Sequence, residues 1–289
     1  MIDIDRMEEQ LASALNGAGP ARRSPVPAPE PTPAPAPAST GRRHRAQPAP
    51  PTAVELLAAG RLDEADAVVA ASAHPRDALT WATMRALLDG RRAAVMTGIQ
   101  ELRRLAERTD DAEALDRYWA QRFWAAFEWG ATEERYDLVD HCRTRAYRFD
   151  DLQWWGHLAL LLAAMGKHDE ATRAFDVAAP LVASSARNAG WLDASTNLAE
   201  AAALLGDPGR VAAVARSARW PAGGLVVVGA GVVCKGSIDR YRAMGSVALG
   251  RPAEAVERFR HAESVHHDLG AGPLLARTRQ QAAGVGVAA

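Results

Sequence analysis

The sequence predicts an all-α fold: an α-solenoid of about six helix pairs over residues 53–289, preceded by a disordered Pro/Ala-rich tail over residues 1–52. Three observations carry this. From residue 53 onward the apolar residues recur at helical spacing almost without a break. Glycines close those apolar stretches at Gly60, Gly90, Gly130, Gly166, Gly206 and Gly250, with separations of 30, 40, 36, 40 and 44 residues. The composition changes near residue 52, before which 11 of the 17 prolines lie.

The tail is read first. Every second residue from Pro25 to Pro37 is proline. Such a run favours extended polyproline II, spans roughly 40 Å at about 3.1 Å per residue, and cannot bury a core. Ahead of it Ile4, Met7, Leu11 and Leu15 share helical spacing, so residues 2–15 read either as a frayed terminus or as a short tethered docking helix. Arg42, Arg43 and Arg45 form a basic cluster whose ordinary meaning is a solvated patch.

In the repeat region, the residues after each glycine are more informative than the spacing. Gly60-Arg-Leu-Asp-Glu-Ala65 is matched by Gly166-Lys-His-Asp-Glu-Ala171 and Gly250-Arg-Pro-Ala-Glu-Ala255. Phe175 and Phe259 come four residues after the alanine, and Ala178 and Ala262 three later again. Gly90 leads to Val95, Ile99 and Leu102 at the same offsets, and Gly206 to Val211, Ala215 and Ala218. Small, large, small at i, i+4, i+7 is one helix face pressed on a neighbour. A glycine just past a helix end supplies the left-handed cap that turns the chain back. This is the pattern of tetratricopeptide-type helix pairs. The Gly130 copy departs from it, because Arg135 stands where the small residue belongs. Helix starts fit the scheme: Asp207-Pro208 reads as N-cap and first-turn proline, and Pro252 and Pro273 open helices in the same way. No alternating pattern that could build a sheet is visible.

Composition excludes several function classes. With 34 basic and 35 acidic residues the formal net charge is −1, which gives no reason to expect a nucleic-acid coat or an anionic-membrane binder. Two cysteines make no disulfide framework. The N-terminus lacks the basic and apolar regions of a secretory signal, and Leu225–Cys234, the longest weakly polar run, is about half of a membrane span, so a cytoplasmic location is expected.

No motif for catalysis, cofactor or metal stands out, and the chain is expected to be no enzyme. Val226-Val-Val-Gly229-Ala-Gly231-Val-Val-Cys234 imitates a strand entering a dinucleotide loop, but the third glycine is cysteine and both flanks are helical. It reads instead as an apolar extended loop covering the edge of the stack. His141 and Cys142 are adjacent and point about 100° apart on a helix, so they cannot chelate easily together. Glu263 and His266 share a helix face in the manner of a di-iron bundle, but the second such pair is missing, and an exposed face is expected.

Aromatics crowd residues 118–129. Trp119, Phe123 and Phe127 share one helix face, while Tyr118 and Trp129 lie nearly opposite. Core packing is the default for such residues. Those left facing the concave groove would be binding anchors, and Tyr118 and Trp129 are the candidates for exposure and partner contact.

The C-terminal third carries a resemblance. Cys234-Lys-Gly-Ser-Ile-Asp-Arg240-Tyr241, Leu249-Gly-Arg-Pro-Ala-Glu-Ala255, Phe259 with Ala262, and Leu269-Gly-Ala-Gly-Pro273-Leu-Leu-Ala-Arg277 come after the Gly/Val-rich run. Together they resemble the MalT-like tetratricopeptide region of LuxR-type transcriptional regulators and related ATPase-coupled nucleotide cyclases. The resemblance covers about residues 190–283 well and 53–190 in general character. It implies a helical superhelix that senses a partner or ligand and controls an effector. The P-loop ATPase and the helix-turn-helix or cyclase of such regulators are not seen here, so the chain is expected to be the sensor or scaffold part alone. The expected function is therefore a non-enzymatic scaffold or sensor that holds a protein or peptide partner on a concave face. A regulator whose superhelix binds a small-molecule effector is the alternative.

Overall fold

The computed structural model describes residues 50–72, 74–130, 132–149 and 151–284. The tail features named above, the 2–15 helix, the proline run and the arginine cluster, lie outside the described residues.

The described chain is helical with one small hairpin. The helices succeed one another in chain order: α1 (Ala53–Ala58), α2 (Leu62–Ala70), α3 (Pro75–Leu88), α4 (Arg92–Thr109), α5 (Ala112–Trp129), α6 (Thr132–Phe149), α7 (Leu152–Ala164), α8 (His168–Ser184), α9 (Ala189–Leu204), α10 (Pro208–Ala218) and, after the hairpin, α11 (Ile238–Ala248) and α12 (Pro252–Asp268). Helix α13 (Gly272–Ala283) comes last. Among the described residues no helix is long and apolar enough to cross a membrane.

The glycine turns share one hydrogen-bonding pattern. After each helix the amide two past the cap reaches back five residues: Arg61 to Leu56, Arg91 to Ala86, Lys167 to Leu162, Asp207 to Ala202 and Arg251 to Ser246, all at 2.9–3.0 Å. This closure needs a left-handed residue in between, and Gly90 adopts φ +73°. Space also selects Gly90, because a β-carbon there would come within 3.0 Å of Pro273 Cγ. The Gly130 turn is different, as its extended φ −69°, ψ 146° shows. There Arg135 replaces the missing closure, its Nε donating to the Ala126 carbonyl at 3.2 Å.

The small-large-small faces are buried where the spacing puts them. Ala171, Phe175 and Ala178 are at most 3% exposed, and Ala255, Phe259 and Ala262 at most 1%. Val95, Ile99 and Leu102 are equally sealed. Burying each phenylalanine contributes about 1.5–3 kcal/mol. Helix α9 is deeply enclosed, with every residue from Asp193 to Ala202 buried. It lies so close to α7 that a β-carbon on Gly156 would meet Ala194 Cα at 2.9 Å.

The Gly/Val-rich run corrects two expectations. It forms an antiparallel hairpin, β1 (Leu225–Val228) and β2 (Val233–Ser237), with Val227 opposite Cys234 and Val228 opposite Val233. It covers no edge: every residue of both strands is buried. A strand enclosed on both faces needs no polar alternation, which is why the run shows none. The hairpin touches α1, α3, α5, α9, α11 and α12.

Through the hairpin the first and last pairs meet. Leu56, Trp81 and Met84 share a core with Leu225, Val227, Leu269 and Ala271. Arg277 of α13 pairs with Glu128 of α5, 149 residues away. Contacts therefore run between elements distant in the chain as well as between neighbours.

Candidate functional site

The two nominated aromatics are placed by packing. Tyr118 is only 3% exposed and lies among Val95, Ile99, Leu102 and Ala125, which corrects the expectation that it faces outward. Trp129 is half-buried and packs on the same cluster. The physical reason is that α5 is covered on both sides, by α4 on one and by α6 on the other, so opposite positions on its wheel are both interior.

The exposed aromatics lie on α6. Tyr136 is 50%, Tyr147 43% and Phe149 57% exposed. Leu138, Val139, Cys142 and Ala146 bury the face opposite the two tyrosines, and Phe149 lies on that side at the helix end. Tyr136 and Tyr147 are eleven residues apart, which returns to within about 20° on a helix. Lysine and arginine cover these rings: Lys167 Nζ is 5.1 Å from the Tyr136 ring, and the Arg145 and Arg148 guanidiniums are 5.0 and 5.5 Å from the Phe149 ring. Periodicity through Leu138, Cys142 and Ala146 marks the buried face, so a wheel drawn on this segment would have found the tyrosine stripe. The denser aromatic cluster at 118–129 carries the stronger signal in the sequence.

A second concentration of polar groups lies inside. Lys235, at the centre of β2, is 2% exposed. Its ammonium reaches Asp193 Oδ1 at 3.0 Å, Thr196 Oγ1 at 2.6 Å and Asn197 Oδ1 at 2.7 Å, all on α9. Trp124 and Tyr241 present their rings to it at 5.0 and 5.3 Å. Asp193 Oδ2 and His157 Nε2 face each other at 3.6 Å, both buried and neither hydrogen-bonded. Further along α9, Glu200 grips Arg240 with two contacts of 3.1 Å. Burial alone would raise the Glu200 pKa, but the charges of Arg240, Arg277 and Lys235 outweigh it and hold it near 2.

These charges border a small cavity between α3, α5, β2, α11 and α13. Lys235, Arg240, Arg277 and Glu128 line it together with Trp124 and Tyr241, and the rest of the wall is largely apolar. Its internal space is about 40 Å³. Glu128 and Arg277 are the partly exposed members of the set, so the cavity opens on their side. Two buried N–H groups on its lining residues, Arg240 Nε and Trp124 Nε1, have no acceptor.

The other sequence candidates are spread apart. His141 stacks on Trp119 at 3.9 Å, and burial, followed by the Arg145 and Arg122 charges, pushes its pKa down to about 4. Burial pushes the Cys142 thiol up, and that of Cys234 to about 11, so neither is a ready thiolate. His266 is fully buried, contrary to the exposed face expected for the Glu263–His266 pair. Its Nε2 accepts from the Ser237 amide at 2.8 Å and its Nδ1 lies 3.0 Å from Thr278 Oγ1, so both ring nitrogens are engaged. Among the described residues no group of three or more potential metal ligands occurs. At the glycine loop, a β-carbon on Gly231 would lie 3.0 Å from the Trp81 ring, so that close approach serves an indole. Comparison with family models, with curated proteins and with solved structures gave no match.

Proposed function

We propose that the chain is a non-enzymatic, tetratricopeptide-like helical scaffold or sensor that binds a protein partner, in a regulatory setting of the kind its resemblance to MalT-like regions implies. The partner surface in this reading is the outer face of α6, in place of a concave groove. The observation that carries it is the exposure of Tyr136 and Tyr147 on one face of α6, with Lys167 over the Tyr136 ring. Tyrosine and arginine dominate binding hot spots, and rings already braced by cations lose little freedom on docking. The chemistry fits a segment that alternates acidic and apolar residues.

The test is a photo-crosslinker at position 136 of the full chain in its native cells. It is expected to map to an acidic, apolar stretch of a partner. Tyr136→Ala with Tyr147→Ala is then expected to weaken that complex at least about tenfold, or about 1.4 kcal/mol, at an unchanged melting temperature. Equal affinity in wild type and variant would overturn the assignment of this face.

The effector-binding alternative is favoured by a different observation, the polar cavity with its two unpaired donors.

A further inference from the structure

The cavity beside β2 has a composition that narrows what can occupy it. Three cations, Lys235, Arg240 and Arg277, stand on its wall against one carboxylate, Glu128. Asp193 and Glu200, which balance Lys235 and Arg240, lie behind the wall on α9. The three cations are thus balanced overall by three carboxylates, of which only Glu128 lines the cavity. Two donors of this wall are unmatched. Arg240 is 1% exposed and uses both terminal nitrogens on Glu200, Tyr241 and Gln281, which leaves Nε without an acceptor. Trp124 is 6% exposed and its indole N–H has none either. A buried donor left unpaired is unfavourable, so the fold carries a standing preference for an acceptor here.

Size and polarity select among acceptors. The 40 Å³ of internal space compares with about 10–15 Å³ for one water, so it holds roughly three water-sized groups. Leu88, Val233 and Leu274 also line the space, and their side chains offer no hydrogen bonds. A planar carboxylate on a short alkyl body suits both the donors and these side chains.

We propose that this cavity binds a short monocarboxylate of two to four carbons, with its oxygens on the Arg240 and Trp124 N–H groups and its alkyl end against Leu88 and Leu274. Arg277, at the open side, exchanges part of its contact with Glu128 for the incoming anion. The site rests on the effector-binding alternative and names its ligand class. It is independent of the α6 face.

The experiment is calorimetric titration of the full chain with sodium propionate, against sodium chloride and sodium sulfate at matched ionic strength. Five non-hydrogen atoms at typical efficiencies give a dissociation constant of about 1 mM. Saturable one-site binding of propionate, absent with chloride and sulfate, is expected. Trp124→Phe keeps an aromatic ring and removes the donor, and is expected to weaken binding about tenfold or more. Should Trp124→Phe lower the melting temperature, Arg277→Gln at the open side is the second variant, with the same expected loss. Absence of saturable heat up to about 50 mM, some fifty times that constant, overturns the proposal. So does equal binding of chloride, or unchanged affinity in both variants. A negative result leaves the crosslinking outcome at α6 untouched, and the reverse holds too.

Discussion

Lys235 and Asp193 form an ion pair of 3.0 Å with both side chains sealed from solvent. The pair ties the centre of β2 to α9 across 42 residues of sequence. Buried pairs of this kind cost desolvation, and what holds this one is the set of neutral acceptors, Thr196 and Asn197, that complete the ammonium's coordination. The hairpin thus has a fixed depth as well as an apolar surface.

Removing one partner should expose that cost. Lys235→Met leaves Asp193 charged, buried and without its cation, and is expected to destabilise by about 3–5 kcal/mol in urea denaturation. Adding Asp193→Asn to it should recover a large part of the loss, because the uncompensated charge goes. A loss under about 1 kcal/mol for Lys235→Met alone would show that the ammonium is hydrated in solution.

Gly231 and Gly166 separate strain from crowding. Both have positive φ, at +79° and +72°. A β-carbon on Gly166 meets nothing within 4 Å, whereas on Gly231 it comes within 3.0 Å of Trp81. Gly166→Ala should cost about 1–2 kcal/mol from the backbone alone. Gly231→Ala should cost clearly more and perturb the near-ultraviolet signal of Trp81. Equal melting temperatures for the two variants would refute the close contact.

The helices were legible because their signals are local. Periodicity, the Gly-x-x-x-Glu-Ala turns and the first-turn prolines are all written within a few residues. The hairpin was not, since Leu225–Val228 and Val233–Ser237 are buried on both faces and lack the period-two pattern that marks a half-exposed strand. The fate of Tyr118 and His266 depends on which helix lies beside them, and wheel geometry alone leaves that open. The cavity draws on β2 and four helices widely separated in sequence, so nothing in a short window announces it.

Ala255 tests the small-residue face directly. It has no exposed surface, while Ala253 two residues earlier is exposed. Ala255→Leu should cost about 1–3 kcal/mol through overpacking, and Ala253→Leu should change stability by less than about 0.5 kcal/mol. Similar melting temperatures for the pair would mean that α12 is rotated from its place here.

His266 predicts how stability responds to acid. Burial, with a smaller contribution from Arg240, lowers its pKa from 6.5 to about 3. The neutral ring is needed, because Nε2 accepts from the Ser237 amide. The unfolded chain therefore takes up this proton near pH 6.5, and the folded chain only near pH 3. Stability is complete above pH 6.5 and falls as pH drops toward 3, by up to about 1.4 kcal/mol per pH unit for this group. His157 and His141, lowered mainly by burial, add slopes of the same sign. Glu200, held near 2 against an ordinary 4.5, adds its own loss only below about pH 4.5. Between pH 6.5 and 4.5 the histidines therefore govern the slope. Urea midpoints across that window should fall steadily for the wild type, and His266→Gln should flatten the fall by close to one proton's worth. An identical slope in the variant would show that His266 is hydrated or protonated in the folded chain, and that the Ser237 amide has another acceptor.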